Sequence, residues 1–114
     1  MTTATFFTEG ARITGFDVKG HSGYSTEGTD IVCAAITSAV RLTEATVNDV
    51  LGLGAAVHVR EKDARISFRL PGGLSAGAES TCQALLTGLM LYLAELHQEY
   101  PAYIEVLEVE TPHP

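Results

Sequence analysis

The sequence predicts one α+β domain over residues 1–114, a two-layer sandwich in which an antiparallel sheet carries two helices on one face in the order ββαββαβ. Three observations predict it. Segments rich in aromatic and β-branched residues arrive in pairs joined by short turns, which favours hairpins. Two longer stretches either repeat apolar residues at helical spacing or consist of strong helix formers. A chain of 114 residues can bury a sizeable core but has no room for a second one.

The elements follow in order. ATFFT (4–8) and RITGFDVKG (12–20), separated by Glu9-Gly10, form the opening hairpin. From Asp30 onward, Val32, Ile36, Ala39, Val40, Val47, Val50 and Leu51 recur at helical spacing, so residues 30–51 read as one amphipathic helix, with Glu44–Asn48 the candidate point for a break. GLGA then stops it. AAVHVRE (55–61) and ARISFRL (64–70) alternate on either side of Lys62-Asp63 as a second hairpin. The turn PGGLSAGAE (71–79) leads into STCQALLTGLMLYLAELHQEY (80–100), a long and largely apolar helix expected to lie centrally, with Gly88 its one weak helix former. Pro101 ends it, and YIEVLEVE (103–110) alternates apolar with acidic residues as the last strand. The second face of the sheet is then either solvated or covered by another copy. The apolar surface left on FFT, AAVHV and YIEVLEVE favours a homodimer.

Composition narrows the function. Hydrophobic residues make up 46% and charged residues 18%, the balance of a folded globular protein. Seven basic against fourteen acidic side chains give a formal charge of −7, which repels phosphate backbones and argues against direct nucleic-acid binding. No apolar run approaches the roughly 20 residues that span a bilayer, and MTTATFFTEG lacks the basic start and apolar centre of a signal peptide. A cytoplasmic protein without membrane contact is expected, with its two cysteines as thiols.

The stretch GHSGYSTEGTDIVCAA (20–35) concentrates the chemistry. With Asp30 as N-cap, its carboxylate would accept the backbone N–H of Cys33, and the thiol would lie in the first helical turn, where positive potential stabilises a thiolate. Cys33 falls on the rim of the apolar stripe, with Thr37 one turn on. A thiol at a helix N-terminus with a histidine nearby is the minimum equipment of a cysteine nucleophile, the imidazole taking the proton and the thiolate attacking a carbonyl. The alternative is a rim-packed Cys33 with a loop His21 bonded to backbone. Gly20 and Gly23 flank His21 and would allow tight turns or positive φ, as in a loop that moves when substrate binds.

GHSGYSTEGTDIVCAAITSAV (20–40) resembles the signature of the ribosomal-processing cysteine protease family, a Gly-His pair followed by a variable loop and Asp-Ile-Val-Cys-Ala. CQALLTGLMLYLAELHQEYPAYIEV (82–106) is similar to that family's second helix and its Tyr-Pro exit into the last strand, so the resemblance covers almost the whole chain. It implies a small bacterial α+β homodimer that removes a short hydrophobic N-terminal extension from a large-subunit ribosomal protein precursor. Carried over by residue, it makes Cys33 the nucleophile and His21 its general base. Asp30 then either orients His21, caps the helix, or does both. Thr37 stands where the family has Ser; it keeps the hydroxyl that would face the thiol and adds a methyl.

The remaining titratable groups point elsewhere. Cys82 lies among Ala84, Leu85 and Leu86 and reads as core. His58 alternates with Val57 and Val59 toward a polar sheet face, His97 sits in a last helical turn where a cation is favourable, and His113 is in the tail. No close ligand pair such as C-x₂-C or H-x₃-H suggests a metal, and no cofactor is expected. Two functions therefore stand: a cysteine endopeptidase, or a noncatalytic ribosome-associated module in which His21 and Cys33 shape a peptide groove.

Overall fold

The computed structural model describes residues 1–20 and 27–111, of which 27–30 are described as backbone alone. Five strands, β1 (Thr2–Glu9), β2 (Arg12–Lys19), β3 (Ala56–Arg60), β4 (Arg65–Arg69) and β5 (Ile104–Glu110), form one sheet in the order β3-β4-β2-β1-β5. Helix α1 (Glu27–Glu44) links β2 to β3, and α2 (Ala76–Glu99) links β4 to β5. The expected α+β sandwich and its element order are what the chain adopts. β1–β2, β2–β4 and β3–β4 are antiparallel, while β5 joins β1 as a parallel neighbour. That pairing follows from the α2 crossover, which returns the chain to the far edge running in the direction of β4.

The core is a cross-strand aromatic row. Phe6, Phe16 and Phe68 are paired across β1, β2 and β4, and the Phe16 and Phe68 rings stack at 4.9 Å with 8° between planes. Each is essentially buried, beneath Val32, Ile36 and Val40 of α1 and Cys82, Leu86 and Leu93 of α2. Burial of such a ring contributes about 2–3 kcal/mol, so this row holds both helices to the same face. On the second face Gly15 is obligatory, since a Cβ there would lie 2.2 Å from the Phe68 carbonyl oxygen. The Arg69 side chain crosses at that point, and its guanidinium sits 4.4 Å from the Phe7 ring centroid.

Both helices start earlier than the sequence reading placed them, and the expected break in the first takes a specific form. α1 begins at Glu27, so Asp30 lies inside the helix and is not its N-cap. Acidic residues suit the first turn as well as the cap, and composition does not separate the two positions. α2 begins at Ala76, because Ser75 caps it by accepting the Ala78 N–H at 3.2 Å and the small residues that follow tolerate a helix. The break near Glu44–Asn48 is a widened π segment, Ala45–Val50. Asn48 closes the chain beyond it, its amide pairing with both the N–H (2.7 Å) and the carbonyl (3.1 Å) of Ala55.

The alternation of β5 slips by one residue in its middle. Ile104 and Val106 face the helices, whereas Leu107 and Val109 pair with Thr5 and Phe7 on the open face, where they are 41% and 43% exposed.

Candidate active site

Cys33, Ile36 and Thr37 follow the i, i+3, i+4 spacing of one helical side, and all three line a cleft of 340 Å³ between α1 and the β3–β4 half of the sheet. Thr2, Val18 and Gly20 close its inner end, and Val59, Arg60, Glu61, Ala64, Arg65 and Ile66 form the opposite wall. Three segments meet here: the first half of α1, the end of β2 and the β3–β4 turn. Cys33 is half-buried. It is the seventh helical residue, one turn further in than the sequence reading placed it and beyond the turn where the helix-terminus field is concentrated.

Gly20 is held from both sides. Its N–H donates to the Ala64 carbonyl at 3.1 Å, and its own carbonyl accepts from the Thr2 hydroxyl at 3.1 Å. Its φ of +84° lies in the left-handed region, and a Cβ there would stand 3.0 Å from the Met1 carbonyl oxygen. The residue before His21 is thereby fixed in the wall of the cleft that holds Cys33. His21 and Gly23 lie outside the described residues, as does His113, and of Asp30 only the helical backbone is described.

The β3–β4 wall was not identified from the sequence. Arg65 Nε donates to Asp17 Oδ1 at 2.8 Å, and the Ser67 hydroxyl donates to the same oxygen at 2.8 Å. Burial by itself would raise the Asp17 pKa; the Arg65 and Ser67 hydrogen bonds and the charges of Arg65 and Arg69 outweigh it and hold the carboxyl below its ordinary range. Asp17 in turn raises the pKa of Arg65, chiefly through that hydrogen bond. This ties β2 to β4 on the open face, behind the cleft. The alternation of Arg65, Ser67 and Arg69 was visible, but not the register that sets it against Asp17.

Of the other titratable side chains, Cys82 lies in the core and His58 on the polar face, as expected. Cys82 is fully buried, and its thiol is pushed up by burial and by Glu79 against a smaller opposing effect of Arg12. His58 is exposed opposite Ser67 on the open face. His97 Nδ1 donates to the Ile104 carbonyl at 2.5 Å, which joins α2 to the start of β5. No cluster of three His, Cys, Asp or Glu suited to a metal occurs among the described residues. A larger groove of 520 Å³ between α1 and α2 is lined by Leu42, Leu85, Leu89, Tyr92 and small residues, with no acid, base or thiol among its lining.

The model of the family described as cysteine protease Prp matches residues 1–105. The chain belongs to that family. The ribosomal processing cysteine protease Prp of Bacillus subtilis (strain 168) is 26% identical over 94 residues, which are 82% of this chain and 84% of that protein. Among solved structures, SMU.848 from Streptococcus mutans superposes with a TM-score of 0.83 at 19% identity, covering 97% and 96% of the two chains. The essential ribosomal processing protease Prp from S. aureus, solved with a substrate peptide, gives a TM-score of 0.75 at 19% identity over 95% and 99%. Membership makes the chain a cysteine protease, in agreement with the expectation drawn from its signature.

Proposed function

We propose that the chain is the endopeptidase that removes a short hydrophobic N-terminal extension from a large-subunit ribosomal protein precursor, with Cys33 as nucleophile and His21 as general base. The observation that carries this reading is the sharing of one cleft by Cys33 and Gly20, the residue immediately before His21, in a member of this protease family. The name of the B. subtilis relative supports ribosomal processing.

In the proposed cycle His21 takes the Cys33 proton, and the thiolate attacks the scissile carbonyl. Collapse of the tetrahedral adduct expels the amine, which receives that proton from His21, and leaves a thioester. Water, deprotonated by His21, attacks the thioester and releases the new carboxylate as Cys33 departs and is reprotonated. Thr37, one turn from Cys33 in the lining of the cleft, would supply a hydroxyl to a substrate oxygen. Asp30, in the first turn, is the acid that would orient His21, and Gly20 and Gly23 flank that histidine in the sequence. No metal or cofactor enters this chemistry.

The reading extends to a cytoplasmic homodimer. The exposed Leu107 and Val109 beside Phe7 support a second copy on the open sheet face, and no helix among the described residues is long and apolar enough to cross a membrane. The test is incubation of purified protein with the host's ribosomal protein precursor. Loss of the extension under wild-type protein, and its retention under Cys33→Ser, is the expected result. A precursor left whole by the wild type overturns the assignment.

A further inference from the structure

We propose that the outer edge of β3 receives the substrate chain as an added strand, and that the cleft behind it takes one apolar side chain of that strand, with Val59 as the residue that selects it. This rests on the reading of Cys33 as nucleophile and deepens it by naming how the substrate is held and which residue sets its specificity.

Among the described residues β3 pairs with β4 alone, so its outer edge presents N–H and C=O groups without a strand partner there. Free edges are usually blunted by a proline, a bulge or a covering element. β3 has no proline, and its register runs unbroken from Ala56↔Arg69 to Arg60↔Arg65. Val59 stands on the helix side of the sheet, paired with Ile66, yet it is 62% exposed. An apolar side chain on the core side of a strand ordinarily lies under a helix; here Val59 instead lines the cleft that it shares with Cys33, Ile36 and Thr37 of α1.

The lining indicates what fits there. Val18, Ile36, Val59 and Ile66 supply an apolar floor. Of the charged residues in the lining, Arg65 is held by Asp17 at 2.8 Å, while Arg60, 3.5 Å from Asp63, and Glu61 are exposed to solvent, so the floor beneath them carries no charge to select a charged side chain. An extended peptide meets both features at once: its main chain pairs with the edge whatever its sequence, and alternate side chains point into the cleft. Cys33 in the same cleft then faces the main chain of the strand so held.

The experiment measures binding apart from cleavage. Fluorescein-labelled peptides carrying Leu, Ser or Asp at each position in turn are titrated with Cys33→Ser, followed by fluorescence anisotropy. Preference for Leu at one position is expected, together with its loss, by about tenfold or more, in Cys33→Ser/Val59→Glu, because a carboxylate at the rim must be desolvated by the apolar side chain. Val59 is exposed, so the substitution leaves the fold intact, as circular dichroism will show. N-methylation of the Leu peptide at successive residues should weaken binding at every second residue, the signature of strand pairing. Loss that ignores this period, or affinity indifferent to Val59→Glu, overturns the proposal. So does oligomerisation that Val59→Glu abolishes without altering peptide affinity, since the edge would then serve a second copy. Peptides bound in the expected pattern but left uncut by the wild type would instead overturn the protease reading and leave this one standing.

Discussion

The hydroxyl of Thr2 donates to the carbonyl of Gly20 at 3.1 Å, and that bond fixes the end of β2 against the start of β1 one residue before His21. Gly20 also gives its N–H to Ala64, so the wall of the Cys33 cleft joins three strands at one residue. Gly20→Ala places a side chain at φ +84° and a Cβ 3.0 Å from the Met1 carbonyl oxygen. A destabilisation of about 1–2 kcal/mol is expected, with a larger proportional loss of kcat/KM than Gly10→Ala, which meets nothing within 4 Å. Thermal melts and precursor cleavage compare the two; equal effects of both substitutions on cleavage would contradict a role for Gly20 in placing His21.

The two thiols should differ in rate. Cys33 is half-buried in an open cleft, whereas Cys82 is fully buried with its thiol pushed up. Iodoacetamide at neutral pH is expected to label Cys33 first, with Cys82 reacting only as the protein unfolds. Peptide mass mapping over time reads both.

Asp17 gives the protein an acid limb. Its carboxyl is held below the ordinary range in the folded state, so its contribution to stability is complete above the unfolded carboxylate pKa. That contribution is lost as pH falls from there through the folded value. Asp17→Asn should flatten this part of the curve of stability against pH. At neutral pH it should cost about 1–2 kcal/mol, since Arg65 is partly exposed and water replaces some of what it loses. Urea melts across the acid range measure it; an unchanged acid limb would contradict the account.

Gly15→Ala forces β2 and β4 apart, because the obstructing atom is the Phe68 backbone oxygen at 2.2 Å and no side-chain rotation relieves it. A loss of about 2 kcal/mol or more is expected, seen as a lowered melting temperature.

The elements were legible because each hairpin and helix carries its own periodicity. What pairs strands distant in sequence was not. β5 alternates well enough to be a strand, but nothing in it says that it lies parallel to β1, and the adjacent Val106 and Leu107 do not say which of them faces the helices. The starts of both helices came earlier than the sequence suggested, because glycines at 28 and 77 read as loop while Ser75 and the acidic turn still permit a helix. At the site, Cys33, Thr37 and Gly20 stood out by residue type and by the signature that contains them. Val59, Arg60, Arg65 and Ile66 did not, since only the crossover that places β3 beyond β4 brings them before Cys33.

The most direct test of the central claim is the time course of precursor cleavage by purified wild-type protein and Cys33→Ser, followed by intact-mass spectrometry at matched folding. Loss of the extension is expected under the wild type. An intact precursor is expected under Cys33→Ser, which exchanges the thiolate for a hydroxyl of far higher pKa in a nearly isosteric side chain. Cleavage by Cys33→Ser at the wild-type rate would contradict that claim.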